Sequence, residues 1–411
     1  MTVMRCRFCD EKLEYTFANL GLSPLANSYV KEDRLDYMEP FYPLHVRVCE
    51  KCFLVQLPQL ATREEIFEEY AYFSSYSDSW LEHCRVYADT MIDRFSLCKD
   101  NRVVELASND GYLLKYFVQH HIPVLGVEPA ANVAEVAQKQ GVNTVVAFFG
   151  EKTAQQLVHD GWSADLIIGN NVLAHVPDIN DFVRGIRVLL KPDGVVTIEF
   201  PHLMKLMSQN QFDTIYHEHF SYLSFTTVER VFASHGLRLF DVQELPTHGG
   251  SLRIFACQEG NASKVENEAV REMRQREEKA GISTLTPYLD FSDRVAQTKR
   301  RILQFLIEAK EHGKRIVGYG APAKGNTLLN YCGIGTDFLD YTVDRNPVKQ
   351  GRFLPGVHIP ILAPEVIQKT KPDFVLILPW NIKDEIMHQM AHIREWGGQF
   401  VVPIPEVKVY P

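Results

Sequence analysis

The 411-residue chain lacks several features that mark particular classes of protein. It has no apolar run approaching the roughly 20 residues of a membrane-spanning helix, so no membrane partner is expected. Its first residues show no basic segment followed by an apolar stretch, so we expect no secretory signal and a cytoplasmic location. Basic residues (43) are fewer than acidic residues (52), and the net charge is −9. A broad basic surface for nucleic acid is therefore not expected.

The composition is that of a folded protein. Hydrophobic residues make up 45% of the chain and charged residues 23%, which is usual for soluble globular proteins and excludes a mainly disordered or collagen-like chain. The length predicts two or three domains.

Half of the eight cysteines fall in two C-x-x-C pairs, Cys6/Cys9 and Cys49/Cys52. In a large chain without an export signal, such pairs favour a metal over disulfides. Two such turns can supply four thiolates to a closed tetrahedral site, so we predict a structural Zn²⁺. The 39 residues between the pairs are more than a compact zinc ribbon has, which an inserted loop would explain. A redox disulfide remains the alternative.

Hydrophobic patterning divides the chain into four parts. Residues 1–65 contain short strand-like runs around the cysteines, and residues 66–260 alternate apolar runs with amphipathic stretches. Residues 261–310 are rich in Glu, Lys and Arg at helical spacing, and residues 311–411 return to alternation. Alternating strands and helices indicate parallel sheets. We therefore predict an α/β protein with a zinc-binding N-terminal domain, a central Rossmann-like domain, a solvated helical connector and a C-terminal Rossmann-like domain.

The clearest cofactor signal is VVELASNDGY at residues 103–112. An apolar strand carries Glu105 at its end, and a short loop with Ser108, Asn109 and Gly111 leads into a helix. A single glycine does not make the G-x-G-x-x-G dinucleotide fingerprint. The segment resembles motif I of class I S-adenosylmethionine (SAM) methyltransferases, whose ligand has no pyrophosphate to cradle. SAM is thus the predicted cofactor, with NAD or a ligand-free domain as alternatives.

Two later strand ends support the same site. Glu128 closes the next strand about 20 residues on, where a carboxylate can accept both hydroxyls of a ribose. Asn170 and Asn171 end a further strand, and the resemblance places them beside the methionine part of SAM.

Two polar segments follow in the central domain. Residues 212–222, FDTIYHEHFSY, contain histidine, the usual general base, next to a carboxylate and tyrosine hydroxyls. H-E-H lacks the spacing of a zinc-protease motif. Residues 247–253, THGGSLR, suggest a tight turn at a polar cleft. The ordinary alternatives are a surface loop of satisfied polar groups and a simple hairpin turn.

The second α/β unit has a glycine-containing loop, GYGAPAKGNT, at residues 318–327. The loop lies between a strand and a helix and is typical of an anion-binding loop, but it is neither a Walker A motif nor a full dinucleotide fingerprint. Asp344 ends the next strand, so bound NAD(P) is the main competing interpretation for this unit.

Together these motifs resemble the sugar-nucleotide C-methyltransferase family over nearly the whole chain. The family combines an N-terminal zinc domain, a central SAM domain and a C-terminal Rossmann-like unit, whose closing Pro-Glu-Val segment is matched at residues 404–407. The resemblance implies C-methylation at C3 of a dTDP- or GDP-linked 4-keto-6-deoxyhexose in deoxysugar biosynthesis. It places the active site between the central and C-terminal units.

The resemblance also implies roles for single residues. His219 would be the general base, Glu218 its partner and Tyr216 a nearby hydroxyl. His175 would lie near the reacting sugar oxygens. Tyr72 would close over the ligands, a role for which Tyr76 competes. We further expect cofactor contacts from Glu105, Ser108, Asn109, Gly111, Glu128, Asn170, Asn171 and Tyr76, and substrate contacts from His248, Gly249, Arg253, Tyr319, Lys324 and Asn326.

The implied chemistry is consistent, because a C4 ketone acidifies the C3–H bond that His219 would break, and His175 or Tyr216 could stabilise the oxyanion. Alternatives are C-5 methylation of a related keto sugar, a zinc-containing RNA methyltransferase, which the net charge disfavours, and a non-catalytic scaffold. We expect a monomer that binds no nucleic acid.

Overall fold

A computed structural model describes residues 4–60, 75 and 78–411 of the chain. The strands are β1 (Tyr15–Ser23), β2 (Tyr42–Val48), β3 (Val55–Gln56), β4 (Val103–Leu106), β5 (Val124–Glu128), β6 (Thr144–Val146), β7 (Ala164–Asn170), β8 (Leu190–Pro201), β9 (Ser221–Tyr222), β10 (Leu237–Leu245), β11 (Ser251–Gln258), β12 (Ile316–Tyr319), β13 (Thr342–Val343), β14 (Ile361–Leu362), β15 (Phe374–Ile377), β16 (Gln399–Val402) and β17 (Lys408–Tyr410).

The α-helices are α1 (Asp78–Phe95), α2 (Leu114–Gln119), α3 (Ala131–Lys139), α4 (Glu151–His159), α5 (Ile179–Leu189), α6 (Leu203–Ser208), α7 (Phe225–Ala233), α8 (Glu268–Lys279), α9 (Thr286–Leu289), α10 (Phe291–Glu311), α11 (Ala323–Cys332), α12 (Glu365–Thr370) and α13 (Lys383–Gln389). Among these described helices, none combines the length and the apolar character needed to cross a membrane.

The central sheet has the strand order β6-β5-β4-β7-β8-β11-β10. Strands β4 to β8 pair in parallel, and the antiparallel hairpin β10–β11 extends the sheet beyond β8. Every residue of β4 and β5 is buried, as expected for strands covered on both faces. The predicted central Rossmann-like domain is confirmed, and the strand ends that carry the SAM signals lie side by side.

The N-terminal sheet has the order β1-β2-β3-β9 and is antiparallel. The hairpin β2–β3 flanks the second cysteine pair, as the sequence predicts. Strand β9 belongs to the central part of the chain and pairs with β3 through Val55–Tyr222 and Gln56–Ser221. The segment that follows His219 is therefore an edge strand of the zinc-domain sheet.

The C-terminal sheet has the order β14-β13-β12-β15-β16-β17, and only its edge strand β17 is antiparallel to its neighbour. This is a doubly wound arrangement whose direction of winding reverses between β12 and β15. The second Rossmann-like unit is thereby confirmed. Ligand crevices in such sheets open beyond the carboxyl ends of the strands at the reversal, here near Lys324 and Trp380.

The charged segment 261–310 is helical, as predicted, but only one face of its helices is solvated. Apolar residues recur among the charged ones at helical spacing, and they form a stripe that packs against the core. Helix α10 lies in one core with the N-terminal and C-terminal sheets. The buried residues of α8 and α10 are Val270, Met273, Glu277, Phe291, Val295, Thr298, Ile302, Leu306 and Ala309.

Glu277 is a fully buried carboxylate that ties α8 to the central domain. Its Oε1 accepts hydrogen bonds from His202 Nε2 (2.6 Å) and the Phe225 amide (2.7 Å). Its Oε2 accepts from the amide (2.8 Å) and the hydroxyl (2.7 Å) of Thr226. Because Phe225 and Thr226 open α7, Glu277 satisfies amides that the helix cannot satisfy itself.

Replacing Glu277 with alanine should lower the free energy of unfolding by about 3–5 kcal/mol, because His202 and two amides lose their partner in the interior. Urea denaturation would measure the loss. Glu278→Ala, at the exposed neighbouring position, is the control and should change stability by less than about 0.5 kcal/mol. Equal stability of the two variants would contradict this account.

Candidate active site and zinc centre

The two C-x-x-C pairs converge on one point. The four Sγ atoms all lie within 4.8 Å of one another, and the Cys6–Cys52 and Cys9–Cys49 Sγ distances are both 3.5 Å. A tetrahedron with Zn–S bonds of about 2.3 Å has S···S edges of about 3.8 Å. The donors therefore fit Zn²⁺ in a closed site of four thiolates, and the predicted structural zinc is confirmed.

Each cysteine pair is built on the same turn. Asp10 and Phe53, which directly follow the second cysteine of each pair, have φ values of 59° and 61°. Their amides donate to the carbonyls of Cys6 and Cys49, both at 2.9 Å. The two half-sites therefore have the same backbone geometry although they are distant in sequence. The long segment between them contains β1 and β2.

The end of β4 and the loop after it contain buried polar groups that the protein itself leaves unsatisfied. Among the described residues, neither carboxylate oxygen of Glu105 nor Ser108 Oγ makes a hydrogen bond. Burial raises the pKa of Glu105 well above its usual range. Gly111 has φ +79°, which favours glycine. An unsatisfied buried carboxylate fits SAM, which carries an ammonium and a sulfonium.

Glu128 ends β5 and fixes this loop. Its Oε2 accepts from the Asn109 amide and its Oε1 from the Ala130 amide, both at 2.9 Å. Burial raises the pKa of Glu128. Each carboxylate oxygen can accept a second hydrogen bond, so the ribose role predicted for Glu128 is compatible with these contacts.

Asn170 and Asn171 end β7. Both amide atoms of the buried Asn170 lack a hydrogen-bond partner among the described residues, so this side chain is also available to a ligand. Asn171 has φ 55°, and its Nδ2 donates to His248 Nε2 at 3.2 Å. One strand end thus offers both a ligand contact and a contact that fixes a histidine.

Ser75, in the tyrosine-rich run at residues 70–76, contacts the loop that follows β4. Asp110 Oδ2 accepts from the amide (3.2 Å) and the hydroxyl (2.5 Å) of Ser75. Tyr72 and Tyr76, the two candidates from this run, lie outside the described residues.

His219, Tyr216 and His175 form one cluster. His219 Nδ1 lies 3.0 Å from the Thr214 carbonyl, and Nε2 lies 2.8 Å from the Tyr216 hydroxyl. Because a carbonyl only accepts, Nδ1 carries the hydrogen, and Nε2 of the neutral ring accepts from Tyr216. The ring of His175 meets that of His219 edge to face, with 4.7 Å between centroids.

The imidazoles near this cluster are neutral at pH 7. Burial, reinforced by His175, lowers the pKa of His219 well below its usual range. Burial also lowers the pKa of His175 to about 4 and that of His248 to about 4. A neutral His219 can accept a proton, which a base requires.

Glu218 does not orient His219, contrary to the expected pairing. Its Oε1 accepts from Asn27 Nδ2 at 2.6 Å, and burial raises its pKa to about 7. The nitrogens of His219 are instead engaged by Thr214 and Tyr216. Sequence reasoning missed Thr214 because it acts through its backbone carbonyl, which any residue could supply.

The turn between β10 and β11 is a hairpin turn that contacts Asn171 of the central unit and approaches Trp380 of the C-terminal unit. His248 has φ 54° and contacts Asn171. A Cβ on Gly249 would lie 2.7 Å from the Trp380 ring, so only glycine fits this close approach. The Gly249 carbonyl accepts from Gln211 Nε2 at 2.8 Å. Two of the predicted substrate residues, His248 and Gly249, are thus brought between the two α/β units.

Arg253, predicted to contact substrate, is instead committed to the central sheet. It is buried and lies directly opposite Glu199 on the neighbouring strand. Its Nε donates to Glu199 at 2.7 Å, its NH2 also pairs with Glu199, and its NH1 donates to Gln243 at 3.0 Å. The guanidinium thus neutralises a buried carboxylate of the protein itself, and a substrate contact of Arg253 stays an untested prediction.

Lys324 is a charged residue of the C-terminal unit that lies near His219 of the cluster. Its Nζ donates to Asn381 at 2.7 Å and lies 4.7 Å from the centroid of the Trp380 ring. Trp380 Nε1 donates to Asp213 Oδ2 at 2.7 Å, and burial raises the pKa of Asp213 to about 6. Tyr319, by contrast, is buried in the C-terminal core.

Asn326, the last predicted substrate contact, is fully buried on α11, and its Oδ1 accepts from Asn330 at 3.2 Å. The structure thus places Asn326 inside the C-terminal unit.

Internal hydrogen bonds hold part of the dinucleotide-like loop of the C-terminal unit. Asp344, at the position of a ribose-binding acid, accepts from the Ala321 amide at 2.8 Å. The Ala321 carbonyl accepts from the Tyr29 hydroxyl (2.6 Å) and from Lys349 (2.9 Å). These contacts fix the shape of the loop, and bound NAD(P) stays the competing interpretation for this unit.

The fold and this site define a SAM-dependent methyltransferase with a zinc-binding domain. Family models for a zinc binding domain, a methyltransferase domain and a C-methyltransferase C-terminal domain match residues 6–67, 80–242 and 246–405. The chain is 37% identical over 404 residues to the C-methyltransferase NovU of Streptomyces niveus, covering 98% of this chain and 96% of NovU. It belongs to the C-methyltransferase family that includes NovU, which confirms the resemblance inferred from the motifs.

More distant similarities cover part of the chain. A ubiquinone biosynthesis O-methyltransferase of Bartonella tribocorum is 26% identical over 98 residues, which are 24% of this chain and 40% of that protein. The crystal structure of the Synechocystis magnesium protoporphyrin IX methyltransferase with bound SAM has a TM-score of 0.33 and 14% identity, over 47% of this chain and 88% of that one.

We expect Glu128→Gln to weaken SAM binding roughly tenfold, because the ribose loses a charged acceptor worth about 1.4 kcal/mol. Isothermal titration calorimetry with SAM would measure the dissociation constant. Glu135→Gln, at an exposed position on α3, is the matched control and should bind as the wild type does. Unchanged affinity in Glu128→Gln would remove this residue from the cofactor site.

Proposed function

We propose that this C-methyltransferase methylates C3 of a 4-keto-6-deoxy sugar linked to a nucleotide, through an enolate. The observation that carries the proposal is the neutral, tautomerically fixed imidazole of His219 beside His175, close to the strand ends that fit SAM. The resemblance to sugar-nucleotide C-methyltransferases supports the substrate class. Because most sugar carbons are not nucleophiles, a base next to a SAM site fits a substrate whose carbon becomes one after losing a proton.

The C4 ketone makes that proton loss possible. The electron pair of the C3–H bond becomes the enolate, and its negative charge is shared by C3 and the C4 oxygen. SAM, when bound, supplies the electrophilic methyl group for the new carbon–carbon bond. The protein must therefore accept one proton, stabilise one oxyanion and keep the sugar in line.

His219 accepts the C3 proton at Nε2. In the free protein this nitrogen accepts a hydrogen bond from the Tyr216 hydroxyl, so the hydroxyl must turn away when the C3–H bond approaches. The C4 oxygen is the acceptor to which it turns, where it donates to the developing oxyanion. The Nδ1–H bond to the Thr214 carbonyl is kept and stabilises the imidazolium. His175 is the second donor to the sugar oxygens.

Lys324 supplies positive charge to the same region. Its side chain makes one hydrogen bond among the described residues, to Asn381, which leaves two N–H donors for a ligand. Its charge also contributes to the lowered pKa values of His219 and His248. A cation at this place suits an anionic substrate, and the diphosphate of a nucleotide sugar is one. We assign Lys324, His248 and Gly249 to the substrate side of the site.

His219→Asn should lower kcat roughly 10²- to 10⁴-fold while SAM binding is unchanged, because only the base is removed. Methyl transfer measured by mass spectrometry gives kcat, and calorimetry gives the SAM dissociation constant. Hydrogen–deuterium exchange at C3 without SAM should be lost together with turnover.

The matched control is His217→Gln. His217 is the adjacent histidine, and it contacts the Pro43 carbonyl (3.3 Å) and the Tyr42 ring rather than the cluster. This variant should keep most of the activity. Wild-type turnover in His219→Asn would exclude His219 as the base.

The substrate class is tested with a panel of dTDP- and GDP-linked 4-keto-6-deoxy sugars and SAM. One member should gain one methyl group, and NMR of the product should place it on C3. Methylation at C5, or no transfer to any member of the panel by a protein that binds SAM, would contradict the proposal.

A further inference from the structure

We propose that the zinc centre also positions the two catalytic histidines, and that Arg7 is the positioning residue through which it acts. The inference rests on the proposed function for the roles of His175 and His219. It assigns to the metal a purpose beyond holding the N-terminal domain together.

Arg7 lies in the turn between Cys6 and Cys9 and reaches both catalytic segments. Its NH1 donates to the Pro177 carbonyl at 2.8 Å, two residues after His175. Its NH2 donates to the Leu57 carbonyl in the zinc domain. Its guanidinium carbon lies 5.5 Å from the centroid of the Phe220 ring, and Phe220 directly follows His219.

Backbone hydrogen bonds join the same segments to one another. The Phe220 amide donates to the Ala174 carbonyl at 2.8 Å, and the Leu57 amide donates to the Phe220 carbonyl at 3.0 Å. Ala174 directly precedes His175, and Phe220 directly follows His219. Each histidine is therefore next in sequence to one of two residues, Ala174 and Phe220, that hydrogen-bond to each other. Phe220 also hydrogen-bonds to the zinc domain. Arg7 spans this bonded set from the side of the metal.

Gln56 couples Arg7 to the metal site. Its Nε2 donates to Cys6 Sγ at 3.1 Å, and its Oε1 accepts from the Arg7 amide at 2.9 Å. Gln56 also pairs with Ser221 in the contact between β3 and β9. A thiolate held by Zn²⁺ keeps this amide in place, because sulfur ligands of metals commonly accept such hydrogen bonds. Loss of the metal releases Cys6, and with it the backbone that carries Arg7.

The geometry explains why the residue is arginine. Two carbonyls, one from the zinc domain and one from the catalytic segment, are bridged by the two ends of one planar guanidinium. A lysine ammonium is a single point on a flexible stem and does not span two acceptors in a fixed plane. Arg7→Lys should therefore lose the bridge although it keeps the charge.

The test compares Arg7→Ala and Arg7→Lys with Arg5→Ala. Arg5 directly precedes Cys6 and is exposed, and among the described residues its guanidinium hydrogen-bonds only to Asp10, so it is the matched control. All three variants should contain as much zinc as the wild type and bind SAM within about twofold. The kcat of Arg7→Ala should fall roughly 10- to 100-fold, because a mutation away from the reacting atoms that displaces catalytic groups by about 1 Å can cost about 10²-fold. Arg7→Lys should fall nearly as far, and Arg5→Ala should not fall.

A spectroscopic measurement without substrate completes the test. In ¹⁵N-labelled protein, the imidazole signals of His175 and His219 should shift or broaden in Arg7→Ala, and also after zinc is chelated from the wild type. The signals of His312, which lies at the end of α10 and contacts the Glu308 carbonyl at 2.6 Å, serve as reference for the variants. Wild-type imidazole signals and kcat in Arg7→Ala would overturn the proposal. Joint loss of zinc and SAM binding in that variant would also overturn it, because Arg7 would then be a general folding residue. If the wild type methylated no keto sugar while the imidazole signals still responded, the substrate proposal would fail and the positioning proposal would stand.

Discussion

The hydrogen bond from His219 Nδ1 to the Thr214 carbonyl fixes the tautomer of the histidine that we propose as the base. It fixes the hydrogen on one side of the ring and the lone pair on the other, towards Tyr216. The opposite tautomer would present an N–H group where a base must accept a proton. Burial keeps the ring uncharged, so the lone pair is available at neutral pH. Much of the surrounding structure serves to keep this ring and its neighbours in place.

The cluster needs all three parts of the chain. The zinc domain reaches it through Asn27, which bonds to Glu218, and through strand pairing with β9. The C-terminal unit reaches it through Trp380, which bonds to Asp213 six residues before His219. The relative position of the central and C-terminal units, between which a substrate would bind, therefore depends on contacts outside the substrate site.

The features that the sequence predicts depend on short-range patterns. The features that it misses depend on contacts between residues that are far apart in the chain. The strands, both Rossmann-like units and the zinc ligands depend on local periodicity or on cysteine spacing, and all are found. The pairing of Arg253 with Glu199 was not predicted, because it is set by the register between two strands whose paired residues are 54 positions apart. Glu277 looked like one more surface charge because its four donors come from other elements. The orienting group of His219 is a backbone carbonyl, which leaves no mark on residue identity.

The pairing of β3 with β9 has a consequence for how the protein is made. The N-terminal sheet is complete only when residues 221 and 222 have left the ribosome. At about 5–20 residues per second, these emerge roughly 10–30 seconds after the second cysteine pair. The four cysteines can bind the metal early, but during that interval β3 lacks its neighbour β9 and leaves an open sheet edge. Nascent chains stalled before residue 221 would thus be the form most exposed to aggregation and to chaperone binding.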